Sequence, residues 1–161
     1  STPKPMNIHD YLVAHENCDW VTMLRHWHWR LPPKFKVWLV NRVGDLFLIL
    51  PDNSVHRLDV GDGMLRKVAE NRDEFARMAD DSEKANDWFL IPVVDRLVAS
   101  GKTLKPGECY CYRELPILGG GYNVDDFEVK DLAYIYAAFG PIHEKIKDIP
   151  DGTKIEFKVV D

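Results

Sequence analysis

The stretch from Phe35 to Val60 constrains the fold most, because its pattern is best met by adjacent antiparallel strands. Phe35-Lys36-Val37-Trp38-Leu39-Val40 runs into the turn-like Asn41-Arg42-Val43-Gly44. Asp45 to Leu50 follows as an almost wholly apolar run, as expected of a strand buried on both faces. Pro51-Asp52-Asn53-Ser54 has tight-turn chemistry, and Val55-His56-Arg57-Leu58-Asp59-Val60 then alternates with the period of a half-buried strand before Gly61-Asp62-Gly63. A three-stranded meander at about 35–60 is the natural product.

Helical spacing dominates elsewhere. Apolar residues from Ile8 to Trp29 recur three and four apart, and Pro32-Pro33 end that run. Asn71 or Asp73 can cap a short helix through Phe75 and Met78. A second helix is expected from about Ser82 to Ser100, with a break or kink at Pro92 and a stop at Gly101. Cys109 to Tyr112 alternates as a strand. Leu115 to Tyr122 must be loop or edge, since it holds a proline and three glycines. Asp131 to Lys147 has helical spacing interrupted at Gly140-Pro141, read either as one helix or as a strand followed by a helix. Ile155 to Val160 reads as a terminal strand. Strands and helices in separate runs indicate an α+β fold, with an antiparallel sheet (the meander plus strands near 108–112 and 155–160) packed against helices. Residues 1–161 are expected to form one domain, with 1–7 flexible.

With 45% hydrophobic and 29% charged residues, the chain has the composition of a soluble protein with a sizeable core. A net charge of −5 and the lack of a basic stripe argue against direct nucleic-acid binding. No apolar run reaches the roughly 20 residues of a membrane span. Three cysteines, Cys18, Cys109 and Cys111, make no disulfide framework or zinc spacing, and a reducing cytoplasm is the expected location.

Motifs that would carry catalysis are weak. His26 and His28 point apart on a helix, and on a strand they lack a third ligand at metal spacing. Cys109-x-Cys111 has no further cysteine or histidine at zinc spacing. Gly119-Gly120-Gly121 lacks the lysine and following helix of a phosphate loop. A small hydrolase or transferase using Cys109, His143 and a carboxylate is the alternative to a binding role, and it requires those side chains to converge in one cleft. No cofactor, metal site or catalytic residue is assigned.

Several ordered segments do carry a resemblance. They are Trp38 to Phe47, Val55 to Gly61, Trp88-Phe89-Leu90-Ile91-Pro92-Val93-Val94-Asp95, Leu104 to Tyr110, Leu115-Pro116-Ile117-Leu118-Gly119-Gly120 with Tyr122, Asp131-Leu132, Gly140-Pro141-Ile142-His143, and Lys147 to Thr153. Together, from about Leu31 to Thr153, they resemble the C-terminal domain of bacterial type VI secretion immunity proteins, formerly a domain of unknown function. In longer relatives a GAD-like domain precedes it, so this chain resembles a short, stand-alone form. A relation to the SUKH group of immunity folds is also expected. The resemblance implies a cytoplasmic protein that binds and neutralises a cognate effector toxin, often a DNA-degrading one; an orphan protein-binding module of the same fold is the alternative within the family. The chain departs from the pattern in reading Gly-Gly-Gly where relatives tend to have Gly-Gly-Glu, and in placing Pro141 where a polar residue is commoner.

Exposure and charge point to a contact surface at Gly119, Gly120, Gly121 and Tyr122 with Asp125, Asp126 and Glu128. Asp80, Asp81 and Glu83 form a second acidic patch. Such patches suit a basic protein partner through complementary steering.

Overall fold

In the computed structural model, which describes residues 7–150, the meander forms and gains a strand. β1 (Lys36–Val40), β2 (Leu46–Ile49), β3 (Val55–Leu58) and β4 (Leu65–Ala69) pair antiparallel in the order β1-β2-β3-β4. The fourth strand escapes the alternation test because Arg66 and Lys67 are adjacent and both exposed. β2 is buried on both faces, as its composition requires. Its pleat sends Leu46 and Leu48 into one apolar cluster and Phe47 into another.

The Phe47 cluster is closed by helices. α2 (Arg72–Met78) starts at Asn71, whose side chain accepts from Glu74 N. α3 (Ser82–Phe89) starts at Asp81, which accepts from Glu83 N and Lys84 N. Phe75 stacks on Trp88 with ring centroids 4.3 Å apart and presents its edge to Phe47. The expected 82–100 helix is in fact two helices. Leu90 adopts a left-handed conformation (φ 48°) between α3 and α4 (Ile91–Ala99), and Pro92 sits in the first turn of α4, where its missing N–H costs nothing. The break therefore falls two residues before the proline.

The other cluster is covered by the C-terminal half. β5 (Glu108–Tyr112) pairs with β6 (Phe127–Asp131) in a separate two-stranded ribbon, not with the meander as the sequence implied. The bond Tyr110 N→Arg42 O, at 2.7 Å, ties β5 to the β1–β2 turn. β6 alternates apolar and polar residues, but its first residues belong to the acidic Asp125–Glu128 stretch, which the sequence reading took only as a charged patch. The strand expected at 155–160 lies outside the described residues.

α5 (Leu132–Ile146) passes through Gly140-Pro141 without interruption, which settles 131–147 as the end of β6 followed by one helix. Gly140 is there for packing. A Cβ at this position would lie 2.7 Å from the carbonyl oxygen of His26 and 3.0 Å from Trp27 Nε1. Trp27 is fully buried and donates its indole N–H to Tyr136 O at 3.0 Å, so the helix and the N-terminal segment interlock there.

That N-terminal segment is not the continuous helix its spacing suggested. It has 3-10 turns at Ile8–Tyr11 and Arg25–Trp27 and a single α-turn, α1 (Trp20–Met23). Between them Leu12 bridges Asn41, and Val13 N donates to Val40 O. The intervening Ala14 to Asp19 is mostly polar and has no apolar stripe to bury, so pairing with the end of β1 wins. No helix among the described residues is long and apolar enough to cross a membrane.

Replacing a helical glycine with alanine normally stabilises by about 1 kcal/mol. Gly140→Ala is expected to do the opposite, lowering stability by about 1–3 kcal/mol because His26 and Trp27 cannot both retreat. A urea melt showing a raised midpoint for this variant would contradict the packing described.

Candidate functional site

The site grows out of the turn between β1 and β2. Asn41 is fully buried, and its Oδ1 accepts from Val43 N and Asp45 N. Its Nδ2 donates to Asp45 Oδ2 and to Trp88 O, both at 2.9 Å. Asp45 is buried too, and accepts from Val60 N through Oδ1 and from Arg57 Nη2 through Oδ2 at 2.8 Å. A chain of polar contacts thus joins the end of α3, the meander and the β3–β4 turn.

Arg57 projects from β3 with its side chain only 11% exposed, and also faces Asp87 at 3.5 Å. Burial opposes its charge, but the carboxylates of Asp45, Asp59 and Asp87 hold its pKa above the ordinary arginine value. Asp59, just after β3, turns the chain by accepting from Gly61 N and Asp62 N through Oδ1. Burial, reinforced by Asp45, pushes the Asp59 carboxyl up to about 7 against the opposing pull of Arg57.

These side chains open onto a pocket of about 400 Å³. Arg57 and Asp59 line one side and Asn86 and Asp87 of α3 another; Leu90, Pro92 and Val93 form an apolar wall, and Tyr112 and Tyr122 an aromatic one. Leu90 lines it in its left-handed conformation, which costs a branched residue on the order of 1–3 kcal/mol. Strain of that kind at a pocket wall is a feature of binding sites.

The anticipated contact residues divide here. Tyr122 lies in the pocket wall, 45% exposed, edge-on to Tyr112, with its carbonyl accepting from Arg96. Gly119 takes φ 101° after the Pro116–Leu118 turn, as a positive-φ glycine should. Gly120 and Gly121 are small for a different reason. A Cβ on Gly120 would run into the carbonyl of Glu114, and one on Gly121 would meet Asp126 Oδ2 at 2.7 Å.

Asp125 is exposed. Asp126 instead caps the turn before β6 by accepting from Asn123 N, and Glu128 pairs with Arg113 at 3.2 Å. Asp80, Asp81 and Glu83 are exposed at the opposite end of α3 from Asp87 and do not line the pocket. Sequence reading missed Arg57, Asp59 and Asp87. Arg57 and Asp59 fall on polar positions of an alternating strand and Asp87 on a helix, so spacing gave no signal that set them apart.

The residues of the hydrolase alternative do not converge in hydrogen bonding. Cys109 Sγ contacts Lys130 O, Cys111 Sγ contacts Tyr112 O, and His143 Nε2 bonds Val60 O at 2.8 Å beside the Trp27 ring. Burial pushes the Cys109 thiol well above its ordinary range and Cys111 up to about 12, the reverse of an activated nucleophile. Burial also lowers His143. His26 and His28 are exposed on either side of buried Trp27, and no group of three metal-ligating side chains occurs among the described residues.

Against known families the result is specific. Residues 69–146 match the T6SS immunity protein Tdi1, C-terminal family. The match supports the type VI secretion immunity family indicated by the sequence, over a narrower span than Leu31 to Thr153. No curated protein matches the chain. The matched span runs from the last residue of β4 to the last residue of α5. It contains Asp87, Leu90, Tyr112 and Tyr122, whereas Arg57 and Asp59 lie outside it.

Asp59 gives this site a pH signature. Its folded pKa is above that of an unfolded carboxyl, so its stabilising contribution is complete at acid pH and is lost as pH rises from about 4 through about 7. Asp59→Asn keeps the Oδ1 acceptor without the charge. Relative to the native chain it is expected to gain on the order of 1–3 kcal/mol between pH 5 and pH 8, read from urea melts at each pH. A constant difference across that range would refute the assignment.

Proposed function

We propose that this chain is an immunity protein that binds a cognate type VI secretion toxin in the cytoplasm of the producing cell, acting as one binding domain, and that the toxin is a DNA-degrading enzyme. The observation that carries this reading is the match of residues 69–146 to the Tdi1 C-terminal immunity family. Two features support it. The chain is acidic, at −5, which suits a cationic nuclease. Cys109 and Cys111 are buried with raised pKa values, which suits inhibition better than chemistry.

In this reading the toxin meets a surface centred on Tyr122 and the Gly119–Gly121 loop, extending to Asp125, Asp126 and Glu128. Asp80, Asp81 and Glu83 form a second acidic patch that steers the approach. Most of the glycine loop is held by packing and presents a fixed shape, which limits the entropy lost on binding.

Co-expression with the toxin encoded beside it is expected to restore growth to cells that the toxin alone kills, and the two proteins should purify as a stable complex. Raising salt from about 50 mM to about 500 mM should slow association about tenfold or more if acidic steering operates. Absence of both rescue and complex would dismiss the reading.

A further inference from the structure

We propose that the pocket between β3, α3 and Tyr122 receives a single arginine side chain of the partner protein, held between the carboxylates of Asp59 and Asp87. This rests on the immunity reading for the partner's identity, but the pocket chemistry stands on its own geometry.

The charges on its walls do not cancel. Asp45 takes Arg57 at 2.8 Å, and the second nitrogen of that guanidinium reaches Asp87 only at 3.5 Å. Asp62 is taken by Arg66. Asp59 has no hydrogen bond or ion pair to a cationic side chain among the described residues, and its Oδ1 is engaged only by backbone N–H groups. Asp87 remains 70% exposed. One buried cation therefore serves several carboxylates, and the pocket is left short of positive charge.

The other walls select the shape of the cation. Leu90, Pro92 and Val93 offer apolar surface to a side-chain stem, and Tyr122 offers an exposed ring beside the carboxylates. A planar guanidinium can stack on a ring and pair with carboxylates together, which an ammonium does less well. Asn86 adds an amide acceptor at the rim. Arg57 is walled in and cannot swing out to serve as the occupant, since its side chain is 11% exposed and its Nε is buried without a partner among the described residues.

Proton linkage follows from the same geometry. The charged groups near Asp59 are Asp45, Arg57, Asp62 and the Asp62-paired Arg66, with Tyr112 and Tyr122 in the pocket wall and Asp87 facing Arg57. Burial and the neighbouring Asp45 raise the Asp59 carboxyl above the ordinary carboxylate range, and an incoming cation favours the ionised form, so binding displaces a proton to solvent. Affinity should therefore fall as pH drops from 8 to 5.5.

The test has two arms, both on the full chain. In the first, n-butylguanidinium is titrated in and backbone amide resonances are followed, with n-pentanoate and n-butylammonium as controls. Shifts centred on Asp87, Leu90 and Tyr122 are expected with the guanidinium, weaker with the ammonium, absent with the carboxylate, and reduced about tenfold or more in apparent affinity by D59N/D87N. Equal response to pentanoate, or shifts elsewhere, overturns the proposal. In the second arm, affinity for the catalytically inactivated neighbouring toxin is compared between the native chain and D59N/D87N. A loss of about tenfold or more that shrinks toward pH 5.5 supports the proposal. A toxin that binds both chains equally overturns it while leaving the immunity reading intact. Guanidinium binding with no toxin complex at any pH supports the pocket chemistry and removes the immunity reading instead.

Discussion

The Asp45 carboxylate is the interaction on which the rest of the structure depends. A buried carboxylate is tolerated only when its charge is paired and its lone pairs are filled. Asp45 meets that demand with Asn41, Val60 N and Arg57, each on a different piece of chain. It therefore sets three geometries together: the β1–β2 turn, the exit from β3, and the direction of Arg57. Asn41 carries the constraint onward to Trp88 O, at the end of α3 just before Leu90 turns the chain. Removing one member of such a network costs more than the bond it made, because the others stay buried without partners.

This dependence explains why the fold was easier to read than the site. The double-sided burial of β2, the caps at Asn71 and Asp81, and the positive φ of Gly119 are local properties, set by period, capping chemistry and backbone sterics. The misreadings share an opposite cause. The N-terminal helix, the placement of β5, and the supposed break at Gly140-Pro141 were each decided by a distant partner: β1 for Val13, β6 for Cys109 to Tyr112, and Trp27 for Gly140. Spacing cannot register those partners.

The candidate site lay further from reach for the same reason. Tyr122 stood out as an aromatic beside three glycines and proved to be a pocket wall. Arg57, Asp59 and Asp87 did not stand out, because a charged residue in a half-buried strand or on a helix looks like a solvated face until the fold closes over it. Even the glycine loop had two meanings. Gly119 is explained by its own backbone, but Gly120 and Gly121 are explained only by Glu114 and Asp126 packed against them.

Under the proposed binding role, the make-up of the pocket bears on how the chain could change partners. Tyr112, Leu90 and Asp87 fall within the segment matching the Tdi1 C-terminal family, while Asp59 and Arg57 belong to a meander outside it. Arg57 and Asp45 are bound to each other and reach α3 through Asn41 and Asp87, so substitutions there cost stability. Asp59 and Tyr122 carry no such obligation beyond a turn and an edge contact. Under the proposed binding role, substitutions at Asp59, Tyr122 and exposed Asp87 would alter the pocket while leaving the Asn41–Asp45–Arg57 network in place.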